Sequence, residues 1–307
     1  MWQISPAGDF DHGRFAASWD DEVVFRIIRK EVFSPTTFLW EVLAPDVAGA
    51  SCPGQFVMVR LKEGGERIPL TVADFDRRCG SVTLVVKVVG KTTEEMATYP
   101  QGAEFLDCIG PLGNPTRIEK KGHIVLVGGG LGVAPIYPIL REFKRIGSRT
   151  TTIVGFKTAS EVFWKEKLHE FSDRFLLMTE DGSSGRKGTT IEALQEIVSE
   201  EVTIHEVLAI GPIGMMKAVA EATRSHGIPT FASMNSIMVD GIGMCGSCRV
   251  TVDGQVLFAC VDGPDMDAHK VDFEELKVRQ NRFRREEQKS LQRYRDECRL
   301  KARGVIR

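Results

Sequence analysis

The sequence predicts a β + α/β protein: an antiparallel β-barrel, then a parallel-sheet α/β domain, then a small cysteine-bearing loop domain and a helical tail. Three observations carry this. Residues 23–107 hold short β-rich runs between turn signals. Residues 123–226 alternate apolar strands with helical periodicity, and Cys245, Cys248 and Cys260 stand close together in a glycine-rich stretch. The corresponding boundaries are 1–22 for an N-terminal extension, 23–118 for the barrel, 119–230 for the α/β domain, 231–270 for the cysteine-loop domain and 271–307 for the tail.

At 307 residues, with 42% hydrophobic and 27% charged, the chain is long enough for two or three domains with real cores. A net charge of −2 points to neither nucleic acid nor a membrane surface as a partner. No apolar run approaches the roughly 18 residues of a membrane span. Seven cysteines, an odd count with three of them clustered, argue against a disulfide framework. With no basic, apolar targeting stretch at the start, a cytoplasmic location is expected.

The extension carries Trp2, Phe10, Phe15 and Trp19 among small and polar residues, and is expected to cover an exposed edge of the barrel. Strands are then expected over 23–28, 38–43, 55–61, 70–73 and 81–89. Pro35, Pro45, Pro53-Gly54 and Gly64-Gly65 punctuate them, and no helix is expected between them.

After Gly122 the texture changes. Residues 123–127 form a continuous apolar strand, and further strands are expected over 151–156, 175–178 and 207–210. Helical patterns run through 146 and over 161–171, 189–199 and 214–226, giving a Rossmann-like nucleotide-binding domain. The turn formed by Gly128, Gly129, Gly130, Leu131, Gly132, Val133, Ala134 and Pro135 sits between strand and helix, where a backbone approaches a pyrophosphate at a helix N-terminus. The plainer reading is a tight strand-to-helix corner. Lys157 follows the second strand, a position from which a 2′-phosphate can be held, so NADP stays open beside NAD.

The cysteines are spaced C-x2-C-x11-C, and Asp240 lies five residues before Cys245, where plant-type iron–sulfur loops carry their first cysteine. Gly241, Gly243 and Gly246 suit a backbone folded tightly through positive φ. The spacing favours a [2Fe-2S] cluster on Asp240, Cys245, Cys248 and Cys260 over a structural zinc knot, which would pair the first C-x2-C with a second or with H-x3-H. Aspartate is also common as a turn cap, so Asp240 has two candidate roles. Cys52, Cys79, Cys108 and Cys298 are expected to be small apolar side chains without chemistry. His12, His123, His169, His205, His226 and His269 are scattered and read as ordinary surface or core residues.

In the tail, Phe273, Leu276, Phe283, Leu291, Tyr294 and Cys298 give a thin apolar stripe, the mark of a helix lying along a surface. Residues 270–307 hold 13 Lys/Arg against 7 Asp/Glu, a surplus of +6 that leaves −8 for the rest of the chain.

With these motifs in order, the chain resembles the ferredoxin–NADP reductase superfamily, and within it the electron-transfer subunits that carry flavin and an iron–sulfur centre. The resemblance spans residues 23–280. It rests on Arg67, Ile68, Pro69, Leu70 and Thr71; on Val88, Gly90, Lys91, Thr92 and Thr93; on the glycine turn; on Gly211, Pro212 and Met215; and on the cysteine loop. It implies that Arg67 pairs with the FAD diphosphate, that Pro69, Leu70 and Thr71 flank the flavin ring, that Gly90, Thr92 and Thr93 complete the diphosphate site, and that Ile68, Val88 and Lys91 also belong to the FAD site. It further implies that Gly129, Gly130, Leu131, Gly132, Val133, Ala134, Pro135, Asp181, Gly211, Pro212 and Met215 hold NAD(H). The loop from Asn235 to Arg249, together with residues 179–183, Lys187 and Gly188, is more similar to one subfamily than to another. The favoured one is the small subunit of NADH-dependent reduced ferredoxin:NADP oxidoreductase, also known as the sulfide dehydrogenase β subunit. The other, the dihydroorotate dehydrogenase electron-transfer subunit, usually offers four cysteines. The aromatic extension and the basic tail depart from the pattern. The implied function is exchange of hydride between NAD(H) and FAD and of single electrons between FAD and the cluster, facing a larger flavin and iron–sulfur subunit of an electron-bifurcating complex. No residue is expected to act as a catalytic acid or base.

Overall fold

The structure, a computed structural model, describes residues 25–200 and 203–303, so the expectation for the extension lies outside the described residues. The first sheet is an antiparallel, nearly closed barrel of seven strands in the order β6-β1-β2-β5-β4-β3-β7. These strands are β1 (Phe25–Ser34), β2 (Thr37–Leu43), β3 (Phe56–Arg60), β4 (Arg67–Asp76), β5 (Ser81–Lys87), β6 (Glu104–Phe105) and β7 (Asp107–Leu112). Trp40 fills the barrel with no exposed surface, and packs on Phe38, Tyr99 and Phe105.

Two helices interrupt the barrel where none was expected, α1 (Pro45–Ala50) and α2 (Lys91–Thr98). Pro45 reads as a turn signal, but at the first helical position its fixed φ is favourable and its missing N–H is no loss. The start of α2 is fixed by Thr93, whose Oγ1 accepts the amides of Val89 (2.9 Å) and Gly90 (3.0 Å).

The second sheet has the order β11-β10-β9-β8-β12-β13-β16. It is parallel apart from its last strand. Its members are β8 (His123–Gly129), β9 (Arg149–Phe156), β10 (Arg174–Thr179), β11 (Arg186–Lys187), β12 (Glu206–Ile210), β13 (Thr230–Ser233) and β16 (Asp265–Asp267). β8 is buried along its whole length, as a strand covered on both faces must be. The crossover helices are α3 (Val133–Arg145), α4 (Lys165–Phe171), α5 (Thr190–Ser199) and α6 (Ile213–Arg224).

β16 comes from the cysteine-loop segment and pairs antiparallel with β13, matching Ser233 with Asp265, so that segment is built onto the edge of the nucleotide sheet. A hairpin of β14 (Arg249–Val252) and β15 (Gln255–Phe258) completes the segment. Barrel and α/β domain meet at Asp74, which accepts Arg141 Nη1 at 2.8 Å and Lys167 Nζ at 3.0 Å. Lys167 also lies 3.7 Å from the centre of the Tyr137 ring.

The tail is helical, as α7 (Phe273–Gln280) and α8 (Arg284–Ala302). α7 buries Phe273 and Leu276. α8 buries nothing and reaches the barrel through Arg295, which grips Glu94 of α2 at 2.7 to 3.0 Å. Of the four scattered cysteines Cys108 is buried, Cys79 and Cys298 are exposed and Cys52 is intermediate. Among the described residues no helix is long and apolar enough to cross a membrane.

Candidate functional site

All three units contribute walls to one cavity of about 780 Å3, inside the range of small-molecule sites. Strand β4 supplies Pro69, Leu70 and Thr71. The turn after β8 supplies Gly129, Gly130, Leu131, Gly132, Ala134 and Pro135, and the turn after β12 supplies Gly211, Pro212 and Met215. The stretch leading into the cysteine loop supplies Ser233, Met234, Asn235, Ser236 and Met238.

The two turns from the nucleotide sheet lie against each other. A Cβ on Gly132 would stand 2.1 Å from the Ile210 carbonyl oxygen, and one on Gly129 would stand 2.5 Å from Met215 Sδ. Gly130, at φ +54, has open space where its Cβ would be. The glycines therefore serve two ends: close approach of two backbones, and an unobstructed floor beside the helix N-terminus.

Nine of the expected residues lie outside the cavity wall. Val133 is fully buried in α3. Arg67 sits at the start of β4 with its side chain 43% exposed and its guanidinium 3.7 Å from Asp107. Ile68 and Val88 pack partly buried against the barrel core. Gly90 and Lys91 form the start of α2, where Gly90 faces open space and the Thr92 hydroxyl donates to Glu66, the residue before Arg67. Thr93 caps the helix as described above. Arg67 and the α2 N-terminus thus lie at one end of the barrel. Asp181 is exposed and turned into its own loop, accepting the Ser183 amide at 2.9 Å and hydroxyl at 2.6 Å. That hydroxyl, then the amide, hold its carboxyl below the usual range. Its neighbour Glu180 lines the cavity in its place, as do Lys157 and Glu161. Glu161 and the stretch from Ser233 to Met238 carry no glycine or charge pattern that singles them out. The pairing of β13 with the edge strand β16 brings that stretch to the wall.

The cysteine loop follows directly. Gly241, Gly243 and Gly246 have φ of +77, +86 and +65. The Asp240 carboxylate accepts the amides of Ile242 (2.9 Å) and Cys245 (2.5 Å), and the Ile242 amide leads in drawing its pKa down. Cys248 and Cys260 are buried with their sulfurs 3.3 Å apart, and burial pushes the Cys260 thiol up to about 12. Cys245 is exposed. Burial raises its thiol, but the Ser247 hydroxyl at 3.0 Å and the Ser247 amide outweigh this and bring it below the ordinary value. The four candidate ligands thus form two neighbouring pairs, Asp240 with Cys245 and Cys248 with Cys260. Among the described residues no three His, Cys, Asp or Glu side chains converge on one point. The barrel clamps this loop: the Asn114 amide donates to the Gly263 carbonyl at 2.7 Å, and Asn114 Nδ2 to the Val261 carbonyl at 2.9 Å.

Comparison with known proteins finds family models for two stretches of the chain. The family model for the iron–sulfur cluster binding domain of dihydroorotate dehydrogenase B matches residues 235–272, and that for the oxidoreductase NAD-binding domain matches residues 126–221. A dihydroorotate dehydrogenase B (NAD(+)) electron transfer subunit homolog from Thermotoga maritima is 44% identical over 268 residues, 87% of this chain and 94% of its own length. The corresponding subunit from Fusobacterium nucleatum is 31% identical over 247 residues, 78% of this chain and 93% of its own. A chain in the solved structure of an NADH-dependent reduced ferredoxin-NADP oxidoreductase, described there for flavin-based electron bifurcation, superposes with a TM-score of 0.83 at 42% identity. That match covers 90% of this chain and 99% of that one. The chain therefore belongs to the family of dihydroorotate dehydrogenase B electron transfer subunits and their homologues, with a ferredoxin–NADP reductase-like fold.

Proposed function

We propose that this chain is the electron-transfer subunit of an oxidoreductase complex of the electron-bifurcating, NADH-dependent reduced ferredoxin:NADP oxidoreductase type. It would exchange hydride between NAD(H) and FAD and single electrons between FAD and a [2Fe-2S] cluster that faces a larger partner subunit. The observation that carries this reading is the single cavity shared by the flavin-type strand, the glycine turn and the lead into the cysteine loop. When bound, flavin supplies the conversion between two-electron and one-electron chemistry.

The chain's own residues bind and orient. Pro69, Leu70 and Thr71 present a β4 wall, and Arg67 with the first turn of α2 beyond Gly90 offers a charge-and-amide cradle suited to a diphosphate. The open floor at Gly130 suits a second pyrophosphate at the start of α3. Asp240, Cys245, Cys248 and Cys260 would hold a binuclear cluster, and their spacing, without a second C-x2-C or an H-x3-H, suits it better than a zinc knot. Free thiols in this role suit the reducing cytoplasm.

Metal and flavin analysis of the purified chain tests the reading. About one FAD and about two irons per chain are expected; zinc in place of iron, or no flavin, would overturn it. The dihydroorotate dehydrogenase alternative shares this chemistry, and the large subunit that co-purifies separates the two.

A further inference from the structure

Behind the cysteine loop lies a second, smaller cavity of about 220 Å3. Cys245, Ser247 and Arg249 form one side of it, and Arg279, Arg282 and Phe283 at the end of α7 form the other. Three arginines thus line one small space, and among the described residues no carboxylate lines it. Arg279 is the most enclosed, with a side chain 18% exposed. Its Nε is buried without an acceptor. Its Nη2 reaches the Ser247 carbonyl at a long 3.4 Å, and its Nη1 stands 3.9 Å from Glu275, whose other oxygen is taken by the Thr251 hydroxyl. Arg249 gives its Nε to the Gly246 carbonyl at 2.9 Å, which fixes the guanidinium at the cavity edge.

A buried donor without an acceptor is costly, and like charges around one space repel unless a counter-charge lies between them. An anion held between the arginines would remove the second cost. We infer that this cavity is an oxyanion-binding site, taking a carboxylate or an inorganic anion of sulfate's size beside the cysteine loop. Guanidinium matches such oxygens in planar, bidentate fashion. Exposed apolar side chains accompany it, Phe283 (48% exposed) in the cavity wall and Ile242 (51%) and Met244 (81%) in the loop just before Cys245. An acidic side chain of a protein partner seated on that surface is therefore one source of the anion, and a free inorganic anion is the other. The inference rests on these arginines and not on the redox reading above.

The test is calorimetric titration of the chain as purified with sulfate and, separately, with acetate, at an ionic strength held constant with chloride. Saturable binding of at least one anion is expected, weakened about tenfold in Arg279→Met for the loss of one charge-assisted contact. Tighter acetate than sulfate would identify a carboxylate source, and the reverse an inorganic one; both support the site. Because Arg279 also touches the loop backbone, exposed Arg282→Met serves as a second variant, expected to weaken binding several-fold with no loss of folding. Absence of saturable binding in the parent, or unchanged affinity in both variants, would overturn the inference.

Discussion

The glycine turn of the nucleotide sheet and the glycine-rich cysteine loop look alike as strings but differ in what the glycines do. In the turn, Gly129 and Gly132 have ordinary φ values of −119 and −60, and a side chain is excluded because neighbouring groups stand 2.1 to 2.5 Å from where its Cβ would be. In the loop, Gly241, Gly243 and Gly246 all have positive φ, and the nearest atoms to their would-be Cβ positions are side chains of Met58, Val261 and Phe258 at 2.8, 3.1 and 3.5 Å. The turn is held by packing between two backbones. The loop is held by local backbone conformation and by the amides that Asp240 accepts.

The largest effect should come from Gly132→Ala, because a Cβ there meets a carbonyl that cannot move aside. We expect a loss of about 3 kcal/mol or more in chemical denaturation, with Gly132→Asn no better. At Gly246, with φ +65 and room for a Cβ, alanine should cost about 1–2 kcal/mol and asparagine less. The same response to asparagine at both positions would break the comparison.

Asp240 sharpens it. Asp240→Ala removes a candidate iron ligand together with the acceptor for two amides, and should make the cluster labile, whereas Asp240→Cys should retain iron with a changed reduction potential. Full iron in Asp240→Ala, with the parent's potential, would assign the aspartate to turn capping alone.

Arg67 is a third case, an exposed guanidinium whose expected partner is the ligand. Arg67→Ala should weaken FAD binding by about 1.5–3 kcal/mol, read as flavin lost on dilution. Equal occupancy in variant and parent would reduce Arg67 to its contact with Asp107. The smallest effect on the cofactors should come from deleting 281–307, since α8 buries nothing. It should spare flavin and iron and weaken association with the large subunit. Unchanged assembly would limit α8 to its contact with Glu94.

The core of the parallel sheet was legible because β8, β9, β10 and β12 carry apolar runs with a helical pattern behind them, as residues 123–146 show, whereas β11 (Arg186–Lys187) and β13 (Thr230–Ser233) are short, carry no such run and were not expected. Two barrel helices were not, since Pro45 and Gly90 signal a turn and a helix start with the same residues. The edge strand β16 was hidden for a different reason: three residues, Asp265–Asp267, carry no periodicity, and their pairing with β13 is purely tertiary. At the site, motif residues with backbone roles such as Gly129 and Gly132 could be read directly. Glu180 could not be told from Asp181 beside it, because which of two adjacent acids faces the cavity is decided by the Ser183 contact that turns Asp181 away.

The most direct test of the electron relay is an anaerobic titration of the purified chain with NADH, followed by visible absorption and low-temperature electron paramagnetic resonance. The account predicts flavin bleaching followed by the signal of a reduced binuclear iron–sulfur centre, with artificial acceptors reduced in turnover and ferredoxin not reduced by the chain alone. NADH that leaves both the absorption and the resonance spectrum unchanged would contradict it.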